Sequence, residues 1–221
     1  MATVWTFGDS FTERYSSTSK WSKDYIEWKG YSPKVYGNFV SETLNCNLQN
    51  MGKASSDNYT IFETFCNKYS SINDNDVIII GWSSYLRFRI VNKWNAWETI
   101  IPNFNTYLEN FESISNDTLN EMLLNRENPR YINELNNFIE FINTICSNKK
   151  VIHWTPFVDN FTKSKGRLNC FFFPHMERID TETNGELNDA HFSEIGHQKL
   201  ASELVEIILN NKKPTHCITL I

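Results

Sequence analysis

Three residues of this chain have the types and order that acyl transfer requires. Ser10 follows the strand-like run Thr3-Val4-Trp5-Thr6-Phe7 inside Gly8-Asp9-Ser10-Phe11, and Asp189-Ala190-His191 stands just before an amphipathic stretch that begins around Ser193. A serine hydroxyl is a poor nucleophile at neutral pH unless a neighbouring base takes its proton, and histidine titrates close enough to that pH to take and return it. An aspartate accepting the second imidazole N–H would fix the tautomer and stabilise the imidazolium formed during attack. Residues i and i+2 of an extended loop point to the same side, so Asp189 and His191 suit this pairing.

Positioning such residues falls to the elements around them, and apolar periodicity predicts alternating strands and helices. A polar and aromatic loop follows the first strand, then a helix from about Pro33 to Leu44, with Pro33 in its first turn. The weakly alternating run Cys46 to Met51 stops at Gly52, and a helix follows from about Asp57 to Tyr69. Asp76-Val77-Ile78-Ile79-Ile80-Gly81 is a continuous β-branched run, suited to a strand covered on both faces. A helix from about Tyr131 to Cys146, a strand from Lys150 to Trp154, and a last helix from Ser193 to about Asn210 complete the pattern; Ile195, Leu200, Leu204, Val205 and Ile208 share one face of the last helix. The expected fold class is α/β, three layers with a central, mainly parallel sheet and helices on both sides. Two segments interrupt the alternation, at about 84–130, expected as short helices, and at about 156–188, expected to be irregular.

In a parallel sheet the loops after the strands' carboxyl ends converge on one edge, which brings Ser10, Gly52 and Gly81-Trp82-Ser83-Ser84 together. With Gly8-Asp9-Ser10-Phe11, an isolated glycine after the second strand, and Asp189-Ala190-His191-Phe192-Ser193-Glu194-Ile195-Gly196-His197 near the end, the chain resembles the SGNH/GDSL hydrolase family. The resemblance runs from the first strand to the last helix, leaves the two insertions unmatched, and implies the flavodoxin-like α/β/α frame of that family. It also implies Ser10 as nucleophile, His191 as general base, Asp189 as its orienter, and the Ser10 and Gly52 backbone N–H groups as oxyanion donors. Glycine at 52 would let backbone approach substrate closely, and each such donor is worth about 3 kcal/mol in the transition state.

Two departures from the family pattern bear on activity. Where the family shows Gly-x-Asn after the third strand this chain has Gly81-Trp82-Ser83; a lost donor lowers the rate about a hundredfold or more unless Ser83, Ser84 or Asn58 compensates. The family's Asp-x-x-His spacing places Asn188, not Asp189, three residues before His191, so either residue stands as the orienter. The competing readings are structural: Ser10 as a turn or helix cap, and Gly52 as a strand terminus. Trp82 and Arg87 are candidate substrate contacts; Arg87 and Arg89 suit an anionic substrate or, equally, pairs with nearby carboxylates. Trp21, Tyr25, Trp28, Tyr31, Trp94 and Trp97 offer either a sugar-stacking surface or small cores for segments without sheet support.

With 221 residues, 40% of them hydrophobic, the chain suits one domain over 1–221 carrying the two insertions. A net charge of −5 with scattered Lys and Arg argues against nucleic acid. Five separated cysteines without a Cys-x-x-Cys pair predict reduced thiols, and His175-Met176-Glu177 alone makes no metal site. No basic and apolar leader or membrane-length apolar run opens the sequence, which predicts cytoplasmic synthesis, with release by lysis or incorporation into a particle compatible with it. The expectation is a cofactor-free, metal-free serine esterase acting on a small-molecule or glycan ester, short acyl groups on carbohydrate by family analogy, with no nucleic acid or membrane partner. Its alternatives are a non-catalytic carbohydrate-binding or structural protein on the same frame, and a flavodoxin-like small-ligand domain whose Gly8–Thr12 loop cradles phosphate, although that loop is poor in glycine.

Overall fold

The computed structural model describes residues 2–18, 20–92, 97–100, 116–126, 128–164, 168–174 and 176–213. Trp94, Phe104, Tyr107, Phe111, His175, Cys217 and the side chains of Trp21 and Trp97 lie outside the described residues. Five parallel strands form the central sheet: β1 (Thr3–Gly8), β2 (Asn47–Gly52), β3 (Val77–Gly81), β6 (Lys150–Thr155) and β7 (Phe171–Phe172), in the spatial order β2-β1-β3-β6-β7. The chain passes from β1 to one side and then crosses to the other, so the sheet reverses its winding between β1 and β3. At such a reversal the carboxyl ends of the strands leave a crevice. The register aligns Gly8 with Gly52, Phe7 with Ile80 and Gly81 with Trp154, so the loops carrying Ser10, Lys53 and Trp82 emerge side by side.

Alternation along the strands builds two cores. Trp5, Phe7, Ile78 and Ile80 pack on one face with Ile61 and Phe65 of α3 (Asn58–Lys68) and Ile132, Leu135, Ile139 and Ile142 of α5 (Pro129–Ile145). Val4, Val77, Ile79 and Ile152 pack on the other with Tyr36 and Val40 of α2 (Tyr36–Thr43) and Leu200, Leu204, Ile207 and Ile208 of α8 (Glu194–Asn210). This is a three-layer α/β/α arrangement, and burial on both faces explains the unbroken apolar run of β3. Caps set the helix starts: Asp57 accepts from Thr60 N–H, Asn128 from Arg130 N–H ahead of Pro129, and Ser193 from Gly196 N–H.

The structure departs from the sequence expectations in five places. Residues Lys20–Lys29, expected as loop, form α1, which buries Tyr25 against Tyr15, Val35 and Ile179; its polar face masked the period. The second helix begins at Tyr36, after Pro33, because Asn38 accepts from Val35 N–H and closes the first turn there. The 84–130 insertion contains an antiparallel hairpin, β4 (Phe88–Val91) with β5 (Trp97–Ile100), besides α4 (Asn116–Arg126); Phe88-Arg89-Ile90-Val91 is a β-branched and aromatic run of strand type. The 156–188 segment holds α6 (Val158–Ser164), β7 and the short α7 (Ile179–Glu182). On α8 the buried stripe is Gly196, His197, Leu200, Ala201, Leu204, Ile207 and Ile208, while Ile195 faces solvent.

Candidate active site

The turn after β1 is tightly bound. Thr12 and Glu13 N–H both donate to Asp9 O at 2.9 Å, and Phe11 N–H donates to Asp9 Oδ1 at 3.0 Å, which lifts Ser10 to the sheet edge. The loop before α8 is pinned as firmly: Ser193 N–H donates to Glu177 O and Ile179 N–H to His191 O, both at 2.9 Å. These two anchored loops bring His191 Nε2 to 2.9 Å from Ser10 Oγ and His191 Nδ1 to 2.5 Å from Asp189 Oδ1. Asp189 Oδ1 also accepts from His191 N–H at 2.8 Å. Asn188 is exposed, and the residue bonded to the ring is Asp189.

Protonation follows from these partners. Burial pushes the Asp189 carboxyl up, and the hydrogen bonds and charge of His191 outweigh it, leaving its pKa below the ordinary value. An ionised carboxylate only accepts, so in neutral His191 the proton sits on Nδ1, Nε2 is the acceptor, and the Ser10 hydroxyl donates to it. Phe11 packs against the His191 ring at 5.3 Å between centroids and against Phe192 at 4.8 Å, restricting its tilt.

The remaining sequence candidates occupy other positions. Gly52 N–H donates to Asn50 Oδ1 at 2.8 Å, which uses the donor an oxyanion role needs. What demands glycine there is space: a Cβ would lie 2.5 Å from Thr12 C and Glu13 N. Ser83 is fully buried, its hydroxyl donating to Asp9 Oδ2 at 2.9 Å, and the Asn58 amide is spent on the Ser83 N–H and C=O, so neither takes the place of the missing Asn. Trp82 is core, not substrate contact, with Nε1 donating to His153 Nδ1. Arg87 pairs with Asp9 Oδ2 at 2.9 Å, and Arg89 with Glu63 at 3.2 Å, so the carboxylate reading holds for both. Among these donors the Ser10 N–H stands without a hydrogen-bond partner among the described residues.

Asp9, which sequence reasoning passed over, is the hub of this site. Its buried carboxylate joins Phe11 N–H, the Ser83 hydroxyl and the Arg87 guanidinium, tying the turn of β1 to the loop after β3. An acid directly preceding Ser10, with an arginine just beyond the third strand, was the available signal. Asn50 was also missed: its amide bridges Thr12 O and Gly52 N–H.

The other described histidines are structural. Burial pushes the pKa of His153 down to about 3, and its Nδ1 accepts from Trp82 while Nε2 faces Asn143 Oδ1. His197, beneath the site among Tyr15, Tyr36 and Phe192, is pushed down to about 3 by burial and then by the charge of His191. Tyr25 is buried and bonded to Glu182 and Glu194 N–H; Trp28 and Tyr31 are exposed yet tied to Glu186 and Glu194. Cys46, Cys66, Cys146 and Cys170 are free thiols. Among the described residues no three His, Cys, Asp or Glu side chains cluster as a metal would require, and no helix is long and apolar enough to cross a membrane.

No protein-family profile and no curated protein matches this chain. Solved structures similar to it include an acetyl xylan esterase, Est2A, from the rumen bacterium Butyrivibrio proteoclasticus (14% identity, TM-score 0.49, covering 95% of this chain and 64% of that one). Another is a carbohydrate esterase whose active site displays divergent catalytic and non-catalytic binding functions (14%, 0.48, 96% and 65%), and a third a G-D-S-L family lipolytic protein of Desulfitobacterium hafniense (13%, 0.44, 94% and 99%). The chain thus spans just under two thirds of the first two. Likenesses this distant leave the activity to be argued from the site itself.

Proposed function

We propose that the chain is a serine ester hydrolase working through a covalent acyl-enzyme. The observation that carries this reading is the unbroken relay Ser10 Oγ, His191 Nε2, His191 Nδ1, Asp189 Oδ1, assembled from opposite ends of the chain at 2.9 and 2.5 Å. In the first step Ser10 Oγ bonds to the ester carbonyl carbon, the carbonyl electron pair moves to oxygen, and the hydroxyl proton passes to Nε2. Asp189 stabilises the resulting imidazolium. Collapse expels the alcohol, which takes the proton from Nε2, and a water activated in the same way releases the acid. The free Ser10 N–H is the donor positioned for the oxyanion; with Gly52 N–H and Ser83 Oγ bonded elsewhere, turnover slower by about a hundredfold for each missing donor follows.

The substrate class is a short acyl, foremost acetyl, ester of carbohydrate. Acetylated xylo-oligosaccharides and 4-nitrophenyl acetate test it: ester cleavage that vanishes in Ser10→Ala, with an acetyl adduct on Ser10 trapped at low pH, is the expected result. The spent donors favour a second reading, a glycan-binding protein on a hydrolase frame. Glycan binding unchanged by Ser10→Ala with no ester turned over would select that reading instead.

A further inference from the structure

Beside the hairpin lies a cavity of about 300 Å³, lined by Asp57, Tyr59, Arg87, Arg89, Arg126 and Tyr131 among others. Its chemistry is set by Arg126, the last residue of α4. Arg126 Nη2 donates to Tyr85 O at 2.7 Å and Arg87 O at 2.9 Å, and the guanidinium lies 3.8 Å from the centre of the Tyr131 ring. No carboxylate stands within ion-pair distance of it among the described residues. Its Nε is buried without a hydrogen-bond partner among the described residues, and so is the Nε of the neighbouring Arg87. A guanidinium carries five N–H donors, and the two carbonyls engage Nη2.

The three arginines lining the cavity are not paired alike. Arg87 is matched by buried Asp9, and Arg89 by Glu63 at 3.2 Å and buried Asp57 at 4.0 Å, so among the described residues Arg126 is the arginine of the cavity left without an ion pair. Glu134 also lines the cavity and acts on Arg126 from beyond ion-pair distance, exposed and screened by water. One guanidinium without an ion pair suits a single carboxylate. Tyr59 and Tyr131 add aromatic rings, and the volume is that of a site for one sugar-sized group. Arg87 joins this cavity to the nucleophile, since its Nη1 bonds Asp9, the residue before Ser10.

We propose that this cavity receives the carboxylate of an acidic sugar, so that the ester presented to Ser10 belongs to an O-acylated acidic glycan. The anion site stands by itself; the word ester rests on the hydrolase reading of Ser10.

Calorimetric titration of the full chain with methyl glucuronoside, its uncharged amide and inorganic phosphate tests the site. The acid should bind about tenfold or more tightly than the amide, because a charge-assisted bond to a guanidinium replaces a neutral one. Arg126→Gln should erase that preference. Since this variant also loses bonds to two carbonyls, the acid-against-amide comparison on the unaltered protein decides the matter alone. Equal binding of acid and amide, no saturable binding of the acid, or tighter binding of phosphate overturns the proposal. Fluorophosphonate labelling of Ser10 in the same preparation separates the two readings: an unreactive Ser10 beside a clear acid preference removes the hydrolase and leaves the anion site.

Discussion

Removing the Arg87 side chain tests whether the Asp9 hub holds the Ser10 turn. The pair is 2.9 Å apart, with side chains 10% and 3% exposed, so the attraction at an effective dielectric of ~20 is about 6 kcal/mol, opposed by the desolvation of both charges. In Arg87→Met the carboxylate stays buried, keeping the Phe11 N–H and the Ser83 hydroxyl but losing its cation. Stranding one charge of such a pair costs about 3–5 kcal/mol. For a chain of this length that lowers Tm by on the order of 10 °C. Asp9→Asn with Arg87→Met should cost less than the two single changes added, because the double variant strands no charge. Urea denaturation of the four proteins measures this, and Ser10 labelling in the folded fraction reports the turn. A cost below about 1 kcal/mol for Arg87→Met, or strict additivity, would refute the hub.

Gly52→Ala should destabilise by about 3 kcal/mol, because its Cβ meets backbone 2.5 Å away and that backbone belongs to the turn carrying Ser10; a variant as stable as the parent by thermal melting contradicts the packing. His153 and His197 both have pKa values pushed down to about 3 from an unfolded value near 6.5, so the folded chain binds fewer protons between those limits. Their contribution is fully present above pH 6.5 and falls as pH drops toward 3. Between pH 7 and 5 the loss is about 2 kcal/mol for each, read by urea denaturation, and His197→Phe should roughly halve the total slope. A flat profile would mean that these rings are not held neutral.

Much of the frame was legible because its signals are local and periodic. The β-branched run of β3, the apolar period of α5 from Tyr131 on, and the alternating strand and helix order each follow from side-chain period. Ser10, Asp189 and His191 could be singled out since parallel topology sends strand ends to one edge. The oxyanion donors could not be read so well. Whether Gly52 N–H is free depends on the rotamer of Asn50, and whether Ser83 faces substrate depends on Asp9, a residue far away in sequence. The hairpin was hidden for a related reason: β4 and β5 are short and stabilised by each other, so neither carries a long period.

The central claim is that His191 activates Ser10, and labelling of the intact protein with a fluorophosphonate, located by peptide mass spectrometry, tests it most directly. Modification confined to Ser10 and lost in His191→Ala is the result the geometry predicts. A folded protein whose Ser10 stays unmodified, or is modified equally without His191, would contradict it.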